Sequence, residues 1–185
     1  MLIYFIGPGG AGKTTIANLI SKKFKFICCD LDHYFMQTEG DISQYILMNG
    51  YRKYALRNIQ LFKELQAQFD INKITIIVCS SGFMTYPEDL DQNYHELKGE
   101  IENHIFTFLV LSSLDLEMCV QTILSRQMNR TYLNPVIESE ELKIRARFKI
   151  YTGFKCRAIL TDRSPDIVAD NFIKIFDDLL LEKKK

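Results

Sequence analysis

Lys13 and Thr14 close the run Gly7-Pro8-Gly9-Gly10-Ala11-Gly12-Lys13-Thr14, which fits the spacing G-x-x-x-x-G-K-[ST] in full. Such a run serves the holding of a phosphate chain. Glycines let the backbone curl until successive N–H groups point inward at anionic oxygens. The lysine then reaches the β/γ-phosphates, and the hydroxyl after it sits on Mg²⁺. The apolar strand Leu2–Ile6 leads into the run, and the amphipathic stretch Thr15–Phe24 leaves it as a helix whose N-terminus adds partial positive charge. Strand, loop, lysine, hydroxyl and helix follow in the order the chemistry requires. That order separates the run from a glycine-rich turn that binds nothing. The expected ligand is a nucleoside triphosphate with Mg²⁺, held by Gly9, Gly10, Ala11, Gly12, Lys13, Thr14 and Thr15.

A second cluster follows the next apolar run. Phe26–Cys29 ends in Asp30-Leu31-Asp32-His33, two carboxylates just past a strand end. Beside a phosphate loop, Asp30 would orient the hydrated Mg²⁺ with Thr14, and Asp32 would take a proton from an attacking hydroxyl. The plainer alternative is a pair of turn acids capping the next helix. His33, His95 and His104 have no metal-ligand spacing relative to one another.

These residues need a frame. Strand-like runs lie at Leu2–Ile6, Phe26–Cys29, Ile74–Cys79, Ile105–Leu111 and Arg157–Leu160, rich in Ile, Val and Phe and without clean alternation. That is the pattern of a parallel sheet covered on both faces. Helical stretches separate them: Thr15–Phe24, Ile42–Phe69 as two helices broken at Asn49-Gly50, Leu114–Arg126, Glu138–Phe154 and Pro165–Leu181, the last with Ser164-Pro165 as cap and first residue. Tyr86–Asn103 is the least regular region. The expected architecture is α/β: a doubly wound P-loop domain with a five-stranded, mostly parallel sheet, helices on both faces, and ligands at the carboxyl ends of the strands.

The 185 residues suffice for one domain with a sizeable core. Lys+Arg and Asp+Glu both number 23, so nothing argues for nucleic acid or an anionic membrane surface. No apolar run approaches the roughly 18 residues a membrane span needs. The five cysteines lack a C-x-x-C pair and read as reduced, which points to the cytoplasm. Lys183–Lys185 read as the end of a frayed tail over 182–185. A monomer acting on a small molecule is expected.

With these motifs placed, the whole chain resembles the shikimate kinases, P-loop enzymes of the nucleoside-monophosphate-kinase group. Asp30-Leu31-Asp32, Gly40-Asp41-Ile42-Ser43, Ile46, Gly50 and Tyr54 follow that family's D-x-D … G-x-S-I … G-E-x-x-F-R-x-x-E block in spacing. Ile77-Val78-Cys79-Ser80-Ser81-Gly82 falls where the family has a strand ending in three glycines. Arg126 … Arg130-Thr131-Tyr132-Leu133 lies at the lid motif R-x-x-x-R-P-L-L, within a mobile lid over about 127–140, and Arg147 … Tyr151 at the later R-x-x-x-Y. The resemblance implies ATP- and Mg²⁺-dependent conversion of shikimate to shikimate 3-phosphate. It implies Lys13, Asp32 and Arg130 as catalytic groups, Arg126 and Arg163 at the adenine, and Ser81, Gly82 and Arg147 at the acceptor. A kinase for another small hydroxylated acid or polyol, or an ATP-binding module without transfer, are the alternatives.

The acceptor half departs from the pattern. The family's carboxylate-gripping Arg is Ala55 here, the Glu after the glycine is Tyr51, the later Glu is Asn58, two of the three glycines are Ser80 and Ser81, and the lid Pro is Thr131. Loss of a bidentate clamp on a buried carboxylate costs on the order of 2–5 kcal/mol. Arg52, three residues before Ala55 and on the same helical face, is the expected replacement.

Overall fold

The computed structural model describes residues 1–128 and 137–182. The expected strands form, with ends shifted by a residue or two: β1 Leu2–Ile6, β2 Ile27–Asp30, β3 Thr75–Val78, β4 Thr107–Leu111 and β5 Arg157–Leu160. They make one sheet in the order β2-β3-β1-β4-β5. Every neighbouring pair is parallel, so the sheet is fully parallel where a mostly parallel one was expected.

Side-chain alternation along these strands divides the core in two. Ile3, Phe5, Ile76, Val78, Phe108 and Val110 face helices α1 (Lys13–Phe24) and α8 (Pro165–Glu182), which pack on each other. Tyr4, Ile6, Ile77, Cys79, Leu109 and Leu111 face the opposite layer, formed by α2 (Leu31–Glu39), α4 (Tyr51–Ala67), α5 (Tyr94–Asn103), α6 (Leu116–Met128) and α7 (Ile137–Tyr151). Burial on both faces is why these strands read as continuous apolar runs. The remaining helix, α3 (Ile42–Asn49), has no fully buried residue and leans on the second layer through Ile42, Tyr45 and Ile46. It ends where expected, with the Gly50 N–H donating to the Ile46 carbonyl at 2.8 Å. Gly50 then opens α4 at φ +83°, a conformation natural to glycine.

Two of these helices were not legible. The sequence shows α2 as an acidic turn because Asp30 is at once the last residue of β2 and the N-cap of α2, its carboxylate accepting from the N–H groups of Asp32 and His33. In α5 the buried residues Tyr94, Leu97 and Ile101 keep helical spacing, but no side chain caps its start and polar residues surround them.

The order of the sheet places β1 at its centre, so the loop leaving β1 lies over the middle of the carboxyl edge. Gly7 begins that loop at φ +139°, and a β-carbon there would stand 2.3 Å from the Val110 carbonyl oxygen. The loop can therefore run against β4 only as bare backbone.

Phe172 joins α8 to the sheet. It is fully buried, with ring centroids 5.3 Å from Phe5, 5.1 Å from Phe108 and 5.8 Å from Phe176. Phe172→Ala is predicted to lower unfolding stability by about 3–5 kcal/mol through lost burial and a residual cavity, read from the midpoint of equilibrium urea unfolding.

Candidate functional site

The site occupies the carboxyl edge of the sheet. In the loop after β1, the Lys13 ammonium is buried and donates to the carbonyls of Gly7 (2.7 Å) and Pro8 (3.0 Å). Burial pulls its pKa down to about 8, against the charges of Asp32 and Asp30, which hold it up. The loop is tied to β5 by Thr161, a buried residue just past that strand. The Thr161 hydroxyl donates to the Ala11 carbonyl at 2.8 Å and accepts from Arg126 Nη1 at 2.9 Å. Arg126 Nη2 also donates to the Thr161 carbonyl at 2.7 Å. Arg126 and Thr161, with Gly10, Gly12, Thr15, Ile16, Arg163 and Pro165, line a cavity of about 280 Å³ beside the start of α1. Gly9 turns the other way, its β-carbon position 3.5 Å from Ser81 Cβ and from Gln127 Nε2.

The two acids sit across from this loop in different settings. Thr14 Oγ1 donates to Asp30 Oδ2 at 2.6 Å, which joins the two residues expected at Mg²⁺. These are hard oxygen donors, and Mg²⁺ commonly takes only one or two protein oxygens beside phosphates and water. The pair fits that ion, although no group of three or more His, Cys, Asp or Glu side chains that could hold a metal lies among the described residues. Asp32 is set deeper, with Oδ1 accepting a short hydrogen bond from the Ser80 hydroxyl. Burial pushes its carboxyl above the usual carboxylate range, opposed first by that hydrogen bond and also by the charges of Lys13 and Arg147.

Ser81, the next residue, accepts from Arg147 Nη1 at 3.1 Å, while its carbonyl accepts from the Tyr151 hydroxyl at 3.0 Å. Two consecutive serines past β3 thus hold a carboxylate and a guanidinium side by side. Gly82 follows, and a β-carbon there would lie 2.7 Å from the Tyr51 hydroxyl oxygen, 3.1 Å from Arg147 Nη2 and 3.3 Å from Tyr86 Cε1. Behind them, Tyr86 donates to Asn58 Oδ1 at 3.1 Å in the buried layer. Ala55 is fully buried beneath.

Arg52 does not join this group. Its guanidinium is exposed and pairs with Asp89, Nη1 to Oδ2 at 3.2 Å and Nη2 to the carbonyl at 2.8 Å. One residue along a helix turns the side chain by about 100°, and that turn brings Tyr51, not Arg52, against Gly82. Arg145 pairs outward with Glu117 and Glu141, leaving Arg147 as the inward arginine of α7. Arg130, with Thr131, the Asn134-Pro135 segment and most of the expected lid, lies outside the described residues, as do Lys183–Lys185. Sequence reasoning missed Thr161, Gln127 and the tyrosines. A hydroxyl directly after the last strand was a usable signal for Thr161. Nothing marked Gln127, which is buried beside Gly9 and Gly10 with Oε1 unpartnered among the described residues.

The family model for shikimate kinase matches residues 9–177. A shikimate kinase from Acinetobacter baumannii, solved with shikimate, superposes with a TM-score of 0.70 at 23% identity, covering 100% of this chain and 95% of that one. The Aquifex aeolicus shikimate kinase gives 0.66 at 21%, covering 98% and 99%. A deoxyadenosine kinase from M. mycoides gives 0.62 at 18%, covering 96% and 100%. These likenesses carry the fold. The pentafunctional AROM polypeptide of Clavispora lusitaniae is 39% identical over 79 residues, which is 43% of this chain and 4% of that protein's length. No described helix is long and apolar enough to cross a membrane.

Ser80 generates a prediction. Removing its hydroxyl takes away the interaction that most opposes the upward shift of Asp32, so the carboxylate protonates at higher pH. Ser80→Ala should lower kcat about tenfold and move the acidic limb of the pH–rate profile upward, with ATP affinity retained. A rate that falls with no movement of that limb would assign Ser80 to packing.

Proposed function

The chain belongs to the shikimate kinase family, and from that premise we propose that it transfers the γ-phosphoryl group of ATP to a hydroxyl of shikimate, giving shikimate 3-phosphate and ADP. The observation that carries the reading is the Ser80-Ser81 step, which sets Asp32 and Arg147 at neighbouring positions beside the Lys13 loop. A hydroxylated acid needs that pair: an anion donor to orient it, and a base to receive the proton of the attacking hydroxyl.

In this reading the adenine side of ATP enters the cavity lined by Arg126, Thr161 and Arg163, and its phosphates follow the N–H groups of Gly9 to Thr15. The acceptor oxygen attacks the γ-phosphorus, its proton passes to Asp32, and the bond from that phosphorus to the bridging β–γ oxygen breaks as ADP leaves. Lys13 turns its ammonium from the Gly7 and Pro8 carbonyls to the transferring group, where positive charge is worth most. Thr14 and Asp30 would hold Mg²⁺, which supplies neutralisation of phosphate charge when bound. Arg130 is assigned to the closing lid, where it would add a second cation and exclude water. We place the reaction in the cytoplasm because the free thiols of all five cysteines suit a reducing compartment, and we propose a monomer.

One observation favours a second acceptor class. Ala55 is fully buried and supplies no cation, which leaves room for another small hydroxylated acid or a polyol as acceptor; a module that binds ATP without transfer is the remaining alternative. Coupled ADP release with shikimate, beside polyols, sugar acids and nucleotides, separates these. Shikimate is expected to give the highest kcat/KM, and ADP release with no acceptor preference would contradict the assignment.

Two variants test the roles. Lys13→Ala should reduce turnover by about a hundredfold or more with the fold intact by circular dichroism. Asp32→Asn should depress kcat far more than ATP affinity. Collapse of ATP binding with normal turnover of the bound complex would reverse the roles of Asp32 and Asp30.

A further inference from the structure

Among the described residues, Arg52, Arg57, Arg145 and Arg157 each stand against a carboxylate. Arg147 does not. It is half-buried, one nitrogen rests on the Ser81 hydroxyl, and the other points at the space over Gly82. The Tyr51 hydroxyl points at the same space from the opposite helix. Tyr51 is held in place by its ring neighbours, with centroids 5.8 Å from Tyr54 and 6.0 Å from Tyr86. Gly82 has no side chain, and a β-carbon there would displace the Tyr51 hydroxyl at 2.7 Å and crowd Arg147 Nη2 at 3.1 Å.

We propose that Tyr51 is a specificity-determining residue, its hydroxyl forming with Arg147 a two-armed clamp for the carboxylate of the acceptor. The inference rests on the reading given above and deepens it. The clamp is rebuilt from a neutral donor and one cation, where Ala55 supplies neither and Arg52 is engaged by Asp89. A phenol donates one hydrogen bond, and a guanidinium nitrogen donates another, so the two together match the two oxygens of one carboxylate. The rings of Tyr51 and Tyr86 wall the space, which suits a ring-borne acid. The class recognised is a small, ring-bearing, hydroxylated monocarboxylate, and a second acidic group would find no further partner in the clamp.

The test compares an acid with its neutral isostere. Binding of shikimate and of its carboxamide is measured by calorimetry on the full chain with ADP present, for the native sequence and for Tyr51→Phe. The native chain should prefer the acid, and Tyr51→Phe should reduce the acid-to-amide ratio about tenfold, the size of one hydrogen bond to a charged group. ADP affinity reports that the fold survives, and Tyr51→Phe keeps the aromatic wall, so a change in the ratio reads the hydroxyl alone. An acid-to-amide ratio unchanged in Tyr51→Phe would overturn the clamp while leaving shikimate phosphorylation intact. Native chain that binds acid and amide equally would also overturn it. Preference for the acid, sensitive to Tyr51, without any phosphorylation of shikimate would support the clamp and overturn the acceptor assignment instead.

Discussion

Everything at the acceptor side depends on the two hydroxyls that follow β3. Ser80 donates to Asp32 and Ser81 accepts from Arg147, so the separation of this carboxylate from this guanidinium is set by a single peptide unit just past a fully buried strand. The same Ser81 borders Gly9, and its carbonyl holds the Tyr151 hydroxyl of α7. A shift of β3 would therefore move the base, the guanidinium and the phosphate loop together. This is the kind of support that keeps reacting groups within the narrow geometry phosphoryl transfer demands.

The nucleotide side rests on a comparable tie at β5. One hydroxyl, that of Thr161, satisfies a loop carbonyl and orients Arg126, and Gly7 presses the loop start against the Val110 carbonyl. Lys13 lies between the two halves with its charge poorly solvated. Its ammonium rests on two carbonyl oxygens in the field of two carboxylates, so arriving phosphate oxygens must take the place of those carbonyls. Arg126 and Arg147 are held by hydroxyls before a substrate enters, whereas Lys13 has to exchange its two carbonyls for phosphate oxygens.

How much of this was legible follows from the kind of interaction involved. The glycine loop, Lys13 and the five strands were readable because they are set by backbone conformation and by burial on both sheet faces, which leave local marks in sequence. The pairing of Thr14 with Asp30 was readable from motif order. The outward place of Arg52 was not, because it turned on one step of helix rotation and on Asp89, an exposed partner 37 positions away that takes up its guanidinium. Ser80 and Ser81 looked like erosion of a glycine motif. Only their partners, on α2 and α7, show that each holds a charged group in place. Tyr51 was likewise a departure in sequence, and only the structure shows its hydroxyl set over Gly82.

This edge of the sheet delivers a phosphoryl group to the acceptor and not to water. Phosphorus NMR of the full chain incubated with ATP, Mg²⁺ and shikimate measures that directly. The γ-phosphate signal should disappear with matching growth of a single phosphomonoester signal coupled to the proton on carbon 3 of shikimate. Conversion of ATP to ADP and inorganic phosphate with no ester, or no loss of ATP at all, would contradict it.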